Sequence, residues 1–223
     1  MRKRLLLQAL CKLFLSIAVT ASLIFVSAGT LHYWNGWLFL CIWFVPMILL
    51  DTVLLIKKPE LLKKRLSGRE TNKTQKLVRA FGVFMFLTGF LLAGLSCRFG
   101  WLRLPDWIAW TGSVLFLLSY LLCGEVLREN AYLSRTVEIQ KDQKVIDTGL
   151  YGIVRHPMYG VTIMMFLSIP LILGSILPFI AFLGYPVLLA KRIQNEEAVL
   201  EKGLAGYAAY QQRVRYKMLP YIW

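Results

Sequence analysis

The sequence predicts an all-α, polytopic integral membrane bundle: four spanning helices followed by a C-terminal helical hairpin, five to six membrane helices in one domain covering residues 1–223. Three observations lead there. The chain is 57% hydrophobic and only 17% charged, with a mean hydropathy of +0.58, values that suit lipid rather than water. Its apolar stretches reach or approach the roughly 20 residues that a spanning helix needs. Its Lys and Arg residues alternate with those stretches instead of gathering on one face.

The first apolar stretch, about 13–31, follows Arg2, Lys3 and Arg4 and ends in Ser27-Ala-Gly29, the layout of a secretory signal. Its length favours a retained helix, and the later spans hold the protein in a membrane in either case. Stretches at 37–56, 80–97 and 107–124 have no polar face, as lipid exposure or a bundle interior requires. Residues 1–127 are therefore read as N-terminal transmembrane helices, leaving 128–223 to carry the site. The stretch 161–190 is too long to be straight, because 30 helical residues measure about 45 Å against a hydrocarbon core of about 30 Å. Pro170, Gly174, Pro178 and Pro186 interrupt it. A turn near Gly174-Ser175 would make two short antiparallel helices whose outer ends return to the same side.

The net charge of +14 would point to nucleic acid on a soluble domain, but its distribution points elsewhere. With the N-terminus in the cytosol, 24 of the 26 Lys and Arg residues fall on the cytosolic side and only Arg98 and Arg103 outside. The protein is thus expected to be multi-pass, with its N-terminus and catalytic loops cytosolic, in the cytoplasmic membrane if bacterial. Juxtamembrane cations attract anionic headgroups, so membrane lipids and not nucleic acid are the expected partners of this charge. The run from Lys57 to Arg79 reads as a solvated, lipid-facing charge run. Cys11, Cys41, Cys97 and Cys123 lie in or beside the spans without metal-ligand spacing, which predicts neither disulfides nor a metal.

Two polar clusters remain. In Gly149-Leu-Tyr-Gly-Ile-Val-Arg-His-Pro-Met-Tyr159, His156-Pro157 marks the change from loop to helix, since the residue before proline is extended and proline suits the first helical position. The amides of that first turn can hold a carboxylate or phosphate. Gly149 permits a tight turn, and Tyr151, Tyr159 and His156 can stack on a flat heterocycle, although Arg155 and His156 are also suited to be interfacial anchors. The second cluster, Arg192 to Glu197, sets Arg192 and Glu196 one turn apart on a helix leaving the membrane; a plain ion pair is one role, but Glu197 alongside makes pure pairing less economical, and a glutamate there suits recognition of a cationic ligand. The hairpin would bring His156 and Tyr159 to Arg192 and Glu196, making one pocket from two distant segments. Farther on, Gly206-Tyr207, Tyr210, Val214 and Leu219-Pro220 fit an amphipathic helix, either lying on the membrane surface or serving as a lid.

The pattern Val145-Ile-Asp-Thr-Gly-Leu-Tyr-Gly-Ile-Val-Arg-His-Pro-Met-Tyr159, then Arg192 to Glu197, then Gly206-Tyr207 to Pro220, resembles the isoprenylcysteine carboxyl methyltransferase family. The related phospholipid methyltransferases share its general form. The resemblance covers residues 128–223 and implies that this region binds S-adenosylmethionine from the cytosol while a lipophilic small molecule or lipidated substrate enters from the bilayer. By position it implies cofactor contacts at Gln143, Lys144, Val145, Ile146, Tyr151, His156, Pro157, Met158, Tyr159 and Glu196, and a catalytic, substrate-binding role for Arg192. Many relatives have histidine where this chain has Gln143 and Lys144. No metal is implied. Alignment and exclusion of water would carry the catalysis, with Arg192 orienting an anionic oxygen, a carboxylate first among the acceptors. Membrane sterol-type reductases using NADPH resemble the same region and form a rival, and a transporter or scaffold is a non-enzymatic one.

Overall fold

The protein, seen in a computed structural model that describes residues 2–67, 73–133 and 139–223, is built on helices that approach one another at glycines. Helices α1 (Arg2–Ala28), α2 (Trp34–Lys57), α4 (Lys73–Phe99) and α5 (Asp106–Glu129) contain the segments Leu5–Ala28, Trp34–Lys57, Lys76–Phe99 and Asp106–Glu129, each long and apolar enough to cross a membrane. Helices α2, α4 and α5 extend beyond the apolar stretches at both ends because their first and last turns continue the backbone ladder into the interface. The first ends at Ala28 rather than at residue 31, since Gly29 takes φ +67° and closes the helix with its amide on the Phe25 carbonyl at 3.0 Å.

Where side chains are small the backbones meet. A Cβ on Gly94 would lie 2.5 Å from the Ile24 carbonyl oxygen of α1, and one on Gly112 would lie 2.6 Å from the Cβ of Leu171. Such small-residue contacts replace the hydrophobic driving force that lipid does not supply between helices. The space between the helices is filled by Phe39, Trp43, Phe86, Phe90, Phe116, Phe166 and Phe182, with Phe86 and Phe166 edge to face at 4.7 Å between centroids. Leu7, Phe14, Leu15 and Val26 of α1 are exposed, an arrangement suited to acyl chains.

A short helix α3 (Pro59–Ser67) begins directly after α2, with Pro59 at its first position. The residue between them, Lys58, extends its ammonium to the Leu127 and Arg128 carbonyls at 3.3 and 3.0 Å, placing a cation on the last turn of α5.

The predicted hairpin is present. Helix α6 (Pro157–Ile172) ends at Leu173, and Gly174 turns the chain at φ +65°. Asn35 donates to the Ile172 carbonyl at 2.9 Å, Tyr33 donates to that of Leu173, and the Leu104 amide donates to the Gly174 carbonyl at 2.9 Å. The tip therefore sits at the end of the bundle that carries Arg98 and Arg103. The returning arm is α7 (Leu177–Phe182) followed by α8 (Tyr185–Gly203). Leu183 and Gly184 keep right-handed helical dihedrals between them, so the break is a kink: Pro186 lacks the N–H that would bond the Phe182 carbonyl. Among the described residues there is no strand, and the bridge between Arg103 and Ser175 is isolated.

Candidate functional site

The start of α6 and the middle of α8 meet at the end of the bundle opposite the hairpin tip, and their contacts are specific. Tyr159 donates its hydroxyl hydrogen to Glu196, and its oxygen accepts from Arg192 Nε at 2.8 Å, so one phenol joins the two residues that helical spacing alone would pair directly. The Arg192 guanidinium lies 5.9 Å from the Tyr159 ring centroid, and the His156 ring stacks near Tyr159 at 5.6 Å.

The neighbouring glutamate does something else. Glu197 is buried and accepts from Arg155 Nε at 2.7 Å, His156 Nε2 at 3.2 Å and Lys217 Nζ at 3.1 Å. Arg155 also donates to the Val214 and Arg215 carbonyls, and the Arg155 and His156 amides donate to the Tyr216 and Lys217 carbonyls at 3.0 and 2.7 Å. The segment after residue 213 is thereby strapped across the foot of α6. Burial by itself would raise the Glu197 pKa, but the hydrogen bonds from His156 and Arg155, the His156 charge and the Lys217 bond outweigh it and bring it down to about 2. Arg155 is thus an internal ion-pair partner rather than an interfacial anchor.

These elements enclose a cavity of about 640 Å³. Each of three helices contributes one face at helical spacing: Arg79, Gly82, Val83 and Phe86 from α4, Met158, Tyr159, Thr162 and Phe166 from α6, and Tyr185, Leu189, Arg192 and Glu196 from α8. The cavity accordingly has an apolar part, between Phe86, Phe166 and Tyr185, and a more polar part beyond Glu196, in which Tyr207 and Tyr210 stand among Val199, Leu200 and Leu204. The loop after α5 walls the polar part with Asn130, Tyr132, Gln143, Lys144, Val145 and Ile146. A short 3-10 turn, Gly149–Gly152, presents Tyr151, whose hydroxyl accepts from Asn130 at 2.9 Å while its carbonyl accepts from Tyr210 at 2.7 Å. Gly149 adopts φ +54°, and a Cβ there would stand 2.8 Å from the Glu129 carboxylate carbon, so the tight turn needs glycine.

Of the residues singled out by resemblance, Gln143, Lys144, Val145, Ile146, Tyr151, His156, Met158, Tyr159, Arg192 and Glu196 all border this cavity. Pro157 does not; it is buried at the first position of α6. The Tyr159 amide turns back to the His156 carbonyl at 3.1 Å, which removes one of the donors expected to face an anion. Helix α9 (Tyr207–Arg213) differs from a surface-lying interfacial helix: Tyr207, Tyr210 and Val214 pack with Leu204 against Ile139, Val145 and Leu200, making α9 a wall of the cavity. The Tyr207 hydroxyl is buried and has no hydrogen-bond partner among the described residues. Of the run from Lys57 to Arg79, positions 68–72 lie outside the described residues; within the rest, Arg65 and Arg79 border the cavity, while Lys57, Lys63 and Lys76 are exposed. Sequence reading missed Arg65, Arg79, Asn130 and the bond-making role of Glu197. A periodic face on α4 at positions 79, 82, 83 and 86 was the one available sign.

Residues 110–202, from the first half of α5 to the end of α8, match the isoprenylcysteine carboxyl methyltransferase (ICMT) family. The chain is also similar to the Delta(14)-sterol reductase TM7SF2 of Mus musculus, 31% identical over 91 residues. That similarity covers 40% of this chain and 22% of the reductase. Residues 110–202, which supply α6, α8 and the loop wall between α5 and α6, are thus the part of the chain that is similar to the isoprenylcysteine carboxyl methyltransferase family.

Proposed function

We propose that this protein is an integral membrane methyltransferase that uses S-adenosylmethionine and moves its methyl group to a lipophilic acceptor, a carboxylate first among the candidates, resembling isoprenylcysteine carboxyl O-methyltransferases. The observation that carries the reading is the Tyr159 hydroxyl joining Arg192 to Glu196 where the polar and apolar parts of one cavity meet. A polar ligand and an amphiphile can each occupy its own part and touch at that point. The volume of about 640 Å³ lies in the range of small-molecule sites. The unpartnered Tyr207 hydroxyl and the Tyr151, Gln143 and Glu196 side chains fit a zwitterionic nucleoside.

S-adenosylmethionine, when bound, supplies an electrophilic methyl on sulfur, so that the protein need provide neither a metal nor a covalent nucleophile. Glu196 attracts the ammonium or ribose. Arg192, held by Tyr159, orients an acceptor oxygen and keeps it anionic. The walls formed by Phe86, Phe166 and Leu189 exclude water and fix the approach, which is where the rate enhancement would come from. The loops around the site are taken as cytosolic.

Calorimetry on detergent-purified protein tests this. S-adenosylmethionine should bind and NADPH should not, and Glu196→Ala should weaken binding by about tenfold or more, the worth of one charge-assisted hydrogen bond. Arg192→Ala should bind the donor yet lose about a hundredfold in methyl transfer. The partial similarity to a Delta(14)-sterol reductase supports a second reading, an NADPH-dependent reductase. Binding of NADPH alone would select it.

A further inference from the structure

The cavity carries more positive charge than one donor and one acceptor carboxylate would use. Glu196 is the single carboxylate on its wall among the described residues, and Tyr159 already bonds it. Arg155 on the same wall is offset by Glu197 at 2.7 Å. Arg65 on α3 and Arg79 on α4 have no carboxylate within ion-pair distance among the described residues, whereas nearby Lys63 reaches Glu60 at 3.9 Å. Both arginines come from outside the segment that matches the family.

Their placement is that of a ligand wall. Arg79 begins the same face of α4 that continues through Gly82 and Val83 to Phe86, so a cation stands at the polar end of an apolar slot. Arg65 is half-buried, and Arg79 is exposed where it borders the cavity. A Cβ on Gly82 would meet nothing within 4 Å, so this glycine is not needed for helix packing and leaves the slot wide beside Arg79. An arginine that only anchors a protein to headgroups needs no share in a cavity that also holds Arg192.

We propose, resting on the methyltransferase reading, that the acceptor is an amphiphile whose headgroup carries two negative charges: a carboxylate presented to the donor by Arg192, and a second acidic group held by Arg65 and Arg79. In the transfer a carboxylate oxygen forms the new bond to the methyl carbon as the carbon–sulfur bond breaks, its electron pair staying on sulfur. No proton moves. The headgroup then carries one charge fewer, which loosens its hold on the arginines and favours release of the ester.

The test compares two probes that differ by one acid, N-dodecanoyl-glycine and N-dodecanoyl-aspartate, binding to the full-length protein in neutral detergent saturated with S-adenosylhomocysteine. The aspartate probe should bind about tenfold tighter than the glycine probe, the worth of one added charge-assisted contact. Arg65→Gln with Arg79→Gln should abolish that preference, with S-adenosylhomocysteine affinity as the control for folding, and Arg65→Lys with Arg79→Lys should retain part of it. Equal binding of the two probes by the unaltered protein overturns the proposal and leaves the methyltransferase reading standing. So does a double variant that weakens both probes equally, the result expected of arginines that merely bind bilayer headgroups. Failure of the unaltered protein to bind S-adenosylhomocysteine overturns both readings together.

Discussion

Glu196 and Glu197 are chemically identical neighbours with opposite tasks, because adjacent residues on a helix point about 100° apart. One borders the cavity with Arg192 and Tyr159; the other is turned into Arg155, His156 and Lys217. Glu197 has its pKa lowered from 4.5 to about 2, so its contribution to stability is present above the unfolded value and is lost as pH falls from about 4.5 through about 2. Glu197→Gln should remove that part of the acid-induced loss of stability. It should also lower stability at neutral pH by about 3 kcal/mol, because Arg155 is left buried opposite a neutral amide. Thermal unfolding in detergent between pH 2 and 7 measures both effects, and an unchanged pH profile would show that the carboxylate is not held in this way.

At the scale of elements, α5 and α6 meet at Gly112, where an added Cβ would stand 2.6 Å from Leu171 Cβ and 3.0 Å from the Ile172 nitrogen. The backbone of α6 cannot yield there without moving its first turn, which carries His156 and Tyr159. Gly112→Leu is therefore expected to cost about 1–3 kcal/mol as an overpacked contact and to weaken donor binding with it. Gly124, on the same helix, has nothing within 4 Å of its added Cβ. Gly124→Ala should be neutral or stabilising by up to about 1 kcal/mol, since only the entropy of glycine is removed. If the two variants unfolded at the same temperature, the close crossing would not be what positions α6.

At the scale of the whole molecule, the foot of α6, the exit of α8, α9 and the end of α5 all lie at one end, and the hairpin tip with Arg98 and Arg103 lies at the other. Positive charge is concentrated at the site end. The expected orientation puts that end in the cytosol. In a protein with its four native cysteines replaced, Asp106→Cys should react with an impermeant maleimide added to intact cells, while Asp142→Cys should react only after permeabilisation. Labelling of Asp142→Cys from outside would invert the topology and move the site to the other face.

The spans, the broken hairpin and the charge bias were determined by the sequence alone, because they follow from properties each residue carries with it: the transfer of apolar side chains into lipid, the missing N–H of Pro186, the freedom of Gly174 to take φ +65°. The tertiary structure alone decided which way the polar groups point. That Arg155 is buried on Glu197, that Tyr159 stands between Arg192 and Glu196, that α9 is a wall, and that Arg65 and Arg79 border the cavity all depend on the rotation of each helix about its axis. That rotation is set by contacts such as Gly112 on Leu171 and Gly94 on Ile24, between residues far apart in the chain, where a difference of a few ångströms in backbone approach decides which face of a nearly uniform apolar helix meets its neighbour.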